Sequence, residues 1–248
     1  MNPYLEMVKK AQEQYAADPP KTESLSDFDL GGVDCPICHN TGMLLYRKTG
    51  QEYAKECECM AKRRFMKRIR NSGMEDMINR YTFDAYEADD AQRQKVKEIA
   101  KMYCETDKGW FFIAGKSGSG KTHICTAICS RLIQKGNEVY YMEWRDESRQ
   151  LKAMMNTEEL DERLDRLKKV KVLYIDDFLK GGCNDADVRL AFEIINARYN
   201  DTRLRTIIST EASIETIIGI DEAMGSRIKE RSRGFIVRAP KENYRLRE

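Results

Sequence analysis

The sequence predicts an α/β fold in which a five-stranded parallel sheet is covered by helices on both faces, a three-layer sandwich preceded by a small N-terminal module. Three observations carry that expectation. From Trp110 onward, apolar runs of strand length alternate with segments of helical periodicity. A glycine-rich loop, Gly115-Lys116-Ser117-Gly118-Ser119-Gly120-Lys121-Thr122, joins the first such run to the helix after it. Upstream, Cys35, Cys38, Cys57 and Cys59 form two close pairs that the alternating region does not share.

Taken along the chain, Tyr4, Val8, Ala11 and Tyr15 fall at helical spacing, and Pro19-Pro20 stops that helix. A polar linker through Asp27 and Asp29 to Gly31-Gly32 follows. The cysteine module occupies residues 33–60 and a basic helix leads out of it. Residues 81–90 read as irregular, and Val96, Ile99 and Tyr103 mark the next helix. Strands are expected at 110–114, 138–142, 172–175, 206–209 and 235–237. Between them, Ile124, Ile128 and Leu132 define a helix that Gly136 ends; residues 158–169 and the series Val188, Phe192, Ile195, Tyr199 give two more. We expect an N-terminal region over residues 1–80 and a nucleotide-binding domain over 81–248.

Charged residues make up 34% and apolar ones 41%, with a mean hydropathy of −0.67. The longest apolar runs are far too short for a bilayer, and the start Met1-Asn2-Pro3-Tyr4 lacks a basic-then-apolar leader. The expectation is a cytoplasmic protein with no membrane partner. Eight cysteines in such a chain argue for metal or burial over disulfides. Cys125 and Cys129, on the helix after the glycine loop, are expected to pack as small hydrophobes, while Cys104 and Cys183 lie apart. Net charge is only +2, yet Lys62, Arg63, Arg64, Lys67, Arg68 and Arg70 crowd one segment without an acid, and residues 227–248 are also basic. Either stretch suits nucleic acid or an acidic partner, and for the first a solvated helix face is the alternative.

The loop fits G-x-x-x-x-G-K-[ST] at every position and lies between strand and helix, as a P-loop requires. Its glycines let backbone N–H groups turn inward, and the helix start adds its positive dipole end. Gly115, Lys116, Ser117, Gly118, Ser119, Gly120, Lys121, Thr122 and the adjoining His123 are the candidate nucleotide contacts. Lys121 would bridge the β- and γ-phosphates of ATP, and Thr122 would offer its hydroxyl to Mg²⁺. Val172-Leu173-Tyr174-Ile175-Asp176-Asp177 is a buried strand ending in acids. Asp176 would hold Mg²⁺ through water, and Asp177 would act as general base on the attacking water.

Cys35-x₂-Cys38, eighteen residues, then Cys57-x-Cys59 offers four thiolates to one tetrahedral Zn²⁺, with His39 as a substitute for one of them. Nothing poised for catalysis accompanies them, so the expected role is structural.

With these motifs the chain resembles the DnaC/IstB-like branch of AAA+ ATPases, most of all phage- and prophage-type replicative helicase loaders. The resemblance rests also on Thr206-Ile207-Ile208-Ser209-Thr210-Glu211, on Gly225-Ser226-Arg227-Ile228-Lys229-Glu230-Arg231 and on Asn243-Tyr244-Arg245-Leu246-Arg247. It implies a polar sensor at Thr210. Many relatives carry Asn where this chain has Glu211, whose carboxylate repels a phosphate unless it is turned aside. It implies an arginine finger given to a neighbouring subunit's ATP, by Arg231 or alternatively Arg227, a second sensor at Arg245, and Phe83 of Tyr81-Thr82-Phe83-Asp84 beside the adenine. Like that branch, the chain is expected to lack a C-terminal helical lid. The implied function is ATP-driven delivery of a replicative DNA helicase onto single-stranded DNA. The alternatives are an IstB-type transposition helper, a small-molecule P-loop kinase, and a DNA-binding module that binds ATP without hydrolysing it. The zinc module favours the loader over the helper, and the absence of an acceptor-binding segment disfavours the kinase.

Overall fold

Side chains alternate across a strand, so fully buried strands sort their residues into two layers. In the computed structural model, which describes residues 35–48, 51–72, 75–154, 157–181 and 184–244, that sorting builds the larger of two units. The expected helix at residues 4–15, its linker, Cys183 and Arg245 lie outside the described residues. The chain divides between Arg64 and Phe65, inside the basic helix.

In the first unit, β1 (Met43–Lys48) pairs antiparallel with β2 (Gln51–Glu56), and the basic helix α1 runs over Cys59–Ser72. The hairpin was not among the expected elements. The turn before it places His39 (φ 46°) and Asn40 (φ 71°) in the left-handed region. Asn40 is held there by its Oδ1, which accepts from the Cys35 amide at 2.9 Å, while Arg63 donates to both its oxygens at 3.0 Å.

The second unit opens with α2 (Glu75–Arg80) and α3 (Ala91–Cys104), the latter N-capped by Asp90. Then follow β3 (Phe111–Ala114), α4 (Lys121–Gln134), β4 (Val139–Glu143), α5 (Trp144–Ala153), α6 (Glu158–Lys169) and β5 (Val172–Asp176). The rest is α7 (Asp185–Asn200), β6 (Arg205–Thr210), α8 (Ile214–Ile220), α9 (Glu222–Arg231) and β7 (Ile236–Arg238). The five strands pair in parallel in the order β4-β5-β6-β3-β7. On one face Phe111, Ile113, Tyr174, Ile207 and Val237 pack with Tyr103 of α3 and Ile124, Ile128 and Leu132 of α4. On the other, Phe112, Leu173, Ile175 and Ile208 meet Leu151, Leu164, Ile194, Ile195 and Ile228 of the remaining helices. The three-layer sandwich expected from the sequence is present. Cys125 and Cys129 are buried in the first layer, as expected of small hydrophobes.

One buried cation ties the second layer together. Arg198 of α7 is fully enclosed, and burial brings its pKa down to about 9. It donates to the carbonyls of Leu167 and Val170 at 2.9 Å and of Arg205 at 2.6 Å, and to the Thr206 hydroxyl at 3.0 Å. Arg198→Met removes the donor and strands these acceptors in the core, so it should destabilise the unit by about 3–5 kcal/mol. Denaturant midpoints check this, and a loss under about 1 kcal/mol would mean that water reaches the acceptors instead.

Candidate functional site

The phosphate loop leaves β3 at its C-terminal end, where the Gly115 amide donates to the Thr210 carbonyl of β6 at 3.0 Å. Two turns in the left-handed region shape it, at Gly118 (φ 76°) and Gly120 (φ 85°), and a Cβ at Gly118 would lie 1.8 Å from Asn243 Oδ1. Gly120 is also the N-cap of α4 and contributes no side-chain cap. The first-turn amides of a 14-residue helix are thus left for a ligand at the loop. Lys121, 5% exposed, folds its ammonium back onto the carbonyls of Gly115 (2.8 Å) and Lys116 (2.9 Å). Burial lowers its pKa, and the charges of Asp177 and Glu211 oppose that shift. A cradle of this shape, with an ammonium inside it, fits a polyphosphate.

Asp176 ends β5 as a buried carboxylate surrounded by donors. Its Oδ1 accepts from the hydroxyls of Tyr174 (2.7 Å) and Ser209 and from the Asp177 amide at 3.2 Å. Its Oδ2 accepts from Tyr141 at 3.3 Å, and the Thr122 hydroxyl sits 3.4 Å from both oxygens. Burial first, then the Asp176 charge, raises the pKa of both tyrosines, so they stay protonated donors. A carboxylate and a threonine hydroxyl side by side are the oxygen donors that Mg²⁺ takes. Glu143, opposite Asp176 in the sheet, has its pKa raised by burial and by the neighbouring Asp146.

Asp177 lies in the left-handed region (φ 51°) with its amide on the Ser209 hydroxyl at 3.1 Å. Its carboxylate pairs with the Lys180 ammonium at 2.9 Å, and the same ammonium reaches Glu211 Oε1 at 3.0 Å. Glu211 is therefore turned aside onto a cation. Thr210 is fully buried; its hydroxyl donates to the Phe178 carbonyl at 2.7 Å and accepts from the Ala212 amide at 3.1 Å. Successive strand residues face opposite ways, and it is Ser209 that meets Asp176.

At the other end of the loop, the His123 ring stacks on Tyr81 at 4.8 Å and meets the edge of Tyr86 at 5.2 Å. Burial lowers its pKa, and its Nε2–H donates to the Thr82 carbonyl at 2.8 Å. Phe83 is half-buried against the first core layer, with the Lys101 ammonium 5.9 Å from its ring centre. The Tyr244 amide donates to the Gly118 carbonyl and its hydroxyl to the Glu87 carbonyl, both at 2.9 Å, and the Arg93 guanidinium covers its ring at 4.7 Å. The residues leading to Arg245 thus lie along the outer, carbonyl side of the loop.

Both candidate finger arginines turn onto their own chain. Arg227 donates to the Ala223 carbonyl at 2.8 Å and lies 5.4 Å from the ring centres of Phe192 and Tyr199. Arg231 donates to the carbonyls of Asp201 and Leu204 at 3.3 Å and lies over the Trp110 ring at 5.7 Å.

In the N-terminal unit the four thiols of Cys35, Cys38, Cys57 and Cys59 lie within 4.8 Å of one another. The pairs Cys38–Cys59 and Cys35–Cys57 stand 3.5 and 3.8 Å apart, and the edge of a tetrahedral zinc–thiolate site is about 3.8 Å. The Cys38 backbone amide holds the Cys35 thiol down to about 7, while burial pushes the Cys57 and Cys59 thiols up. His39 is exposed and outside the cluster, so the substitution considered for it is not adopted. Sequence reading missed Tyr141, Tyr174, Ser209 and Lys180, which reach the acids only through the sheet and its loops. Among the described residues no helix is long and apolar enough to cross a membrane.

The IstB-like ATP binding protein family matches residues 47–248. The YqaM protein of Bacillus subtilis is 32% identical over 75% of the chain, which spans 63% of that relative's length. The phage-like element PBSX protein XkdC of the same organism is 26% identical over 94% of the chain and 90% of its own length. The crystal structure of the DnaC helicase loader superposes with a TM-score of 0.54 at 18% identity, covering 66% of this chain and 98% of that one. The chain belongs to the IstB-like ATP-binding family, and with its P-loop and sheet it is a DnaC/IstB-like ATP-binding protein of the AAA+ type.

Proposed function

We propose that the protein hydrolyses ATP with Mg²⁺ and uses the turnover to deliver a replicative DNA helicase onto single-stranded DNA. The observation that carries the hydrolytic part is the meeting of Thr122 with Asp176, with Asp177 next along at the strand end. In this reading Lys121 exchanges its loop carbonyls for phosphate oxygens, and Thr122 and Asp176 hold the metal. Bound Mg²⁺ would neutralise charge on the phosphates. Asp177 accepts the proton of a water that displaces ADP from the γ-phosphorus, giving ADP and phosphate. The finger arginine, Arg227 or Arg231, would leave its own chain on self-association and complete a neighbour's site. His123 and Phe83 would lie on the base side of the loop, and Arg245 would follow the strap at Gly118.

The loader part is supported by kinship with a phage-element protein along nearly the whole chain and by the fold shared with the DnaC loader. A groove of about 530 Å³ beside the site presents Arg145, with Arg149 paired to Asp146 and Lys152 to Asp187, and Arg145 with the exposed Arg149 suits the phosphates of a single strand. We further propose residues 1–80 as the helicase-binding region, 81–248 as the ATPase domain, and the cytoplasm as the place of action. The family match keeps one second reading, an IstB-type helper acting with a transposase on duplex DNA.

The test is ATP turnover measured alone, with single-stranded DNA, and with the cognate replicative helicase. A several-fold rise with DNA and helicase together is expected. Unchanged turnover overturns the loader, and stimulation by duplex DNA with a transposase installs the second reading.

The thiol cluster is proposed as a structural zinc site. Metal analysis of the purified protein should give about one zinc per chain, and Cys57→Ser should lose it and unfold residues 35–64, because so small a unit depends on its metal. Protein that is folded and free of zinc would refute this.

A further inference from the structure

Lys180 occupies a position that neither the glycine loop nor the strand-end acids account for. Asp177 (φ 51°) and Leu179 (φ 60°) both adopt the left-handed region without being glycine, a costly choice for a short loop. The result is a turn, closed by the Lys180 amide on the Asp177 carbonyl at 3.0 Å, that brings residue 180 back over the end of β5. From there one ammonium spans two strand ends, to Asp177 at 2.9 Å on β5's side and to Glu211 at 3.0 Å after β6. Its hydrogen bond to Asp177, with Glu211 in support, raises its pKa, so it is charged throughout the neutral range.

These groups gather where the end of a triphosphate would lie. Lys121, the lysine that reaches the β- and γ-phosphates in a P-loop, feels the charges of Asp177, Glu211, Lys180 and Asp176. Without Lys180, the carboxylates of Asp177 and Glu211 would face that phosphate with no cation of their own. The Lys180 pairs are also partly open to water, with side-chain exposures of 39% for Lys180, 28% for Asp177 and 42% for Glu211. Ion pairs this exposed hold weakly, so a phosphate carrying more charge than a carboxylate can take the ammonium over.

We propose that Lys180 makes the site distinguish ATP from ADP: it clamps Asp177 and Glu211 together when no γ-phosphate is present and moves to that phosphate when ATP binds. The proposal rests on the ATP-site reading above. It assigns Glu211 a role as the resting partner of the cation. It also makes release of Asp177 toward water depend on the presence of the group to be cleaved.

The experiment measures binding of fluorescent ADP and of a fluorescent non-hydrolysable ATP analogue, with Mg²⁺, to the full chain. The proteins are wild type, Lys180→Met, Lys180→Arg, Glu211→Gln and the Lys180→Met/Glu211→Gln double variant, each checked by thermal melting. Lys180→Met should weaken the ATP analogue about tenfold and ADP less than about twofold, a selectivity that a folding defect would not produce. Lys180→Arg should keep the preference, and Glu211→Gln in the Lys180→Met background should recover most of the lost affinity by removing the uncompensated carboxylate. Equal weakening of both nucleotides, no change in either, or no recovery in the double variant overturns the role of Lys180 while leaving the ATP site standing. A wild-type protein that binds neither nucleotide overturns the ATP-site reading and this inference with it.

Discussion

Lys121→Ala should abolish measurable nucleotide binding, lowering affinity by about 100-fold or more. The side chain is 5% exposed and already committed to two carbonyls of its own loop at 2.8 and 2.9 Å. Those bonds keep an ammonium inside the cradle before any phosphate arrives. On binding, a charge-assisted pair to phosphate oxygens replaces them, and each such bond contributes about 1.5–3 kcal/mol. Two together correspond to roughly a hundredfold or more in affinity. Alanine also frees the Gly115 and Lys116 carbonyls to point into a site meant for anions. Isothermal titration with ATP and with ADP measures the effect, and an affinity within tenfold of wild type would mean that the α4 amides alone hold the phosphates.

Asp177→Asn should separate binding from chemistry. Asn keeps the size of the side chain and can tolerate the left-handed backbone that residue 177 adopts. Lys180 retains Glu211 as a partner at 3.0 Å, so the loop keeps one of its two ion pairs. What disappears is a carboxylate able to accept a proton, and loss of such a base costs about 10²–10⁴ in turnover. ATP affinity should stay within a few-fold of wild type while the rate of phosphate release collapses. Parallel loss of both would identify Asp177 as a binding group instead of the base.

The phosphate loop was legible because its chemistry is local: eight consecutive residues, a strand before and a helix after. The five strands were legible to within one residue at each end, since strands buried in a parallel sheet read as short apolar runs. Helix α5 was missed because its buried face consists of Trp144, Ser148 and Leu151, and a serine interrupts the apolar series. Helices α8 and α9 are short and show only Ile214 with Ile217 and Met224 with Ile228. The hairpin of β1 and β2 carries exposed Met43, Leu45 and Tyr53, so its strands lack the polar outer face that would mark them. Tyr141, Tyr174 and Ser209 come from three different strands, and only the sheet register brings their hydroxyls to Asp176. Glu211 looked hostile to phosphate because nothing in the sequence announces that residue 180 doubles back.

The order of the strands sets a gauge. Neighbouring strands lie about 4.8 Å apart, and β6 stands between β3 and β5, so the two strands that carry the loop and the acids are about 10 Å apart. Were they adjacent, Lys121 and Asp177 could neutralise each other directly and leave no work for a ligand. With one strand interposed, the loop meets the acids through the Thr122 hydroxyl, 3.4 Å from Asp176, while the Lys121 ammonium rests on its own loop carbonyls. Any insertion or deletion that slid β6 along its neighbours would move Ser209 off Asp176 and Glu211 off Lys180 together. The middle strand, which sets Ser209 against Asp176, works as the ruler against which both halves of the site are measured.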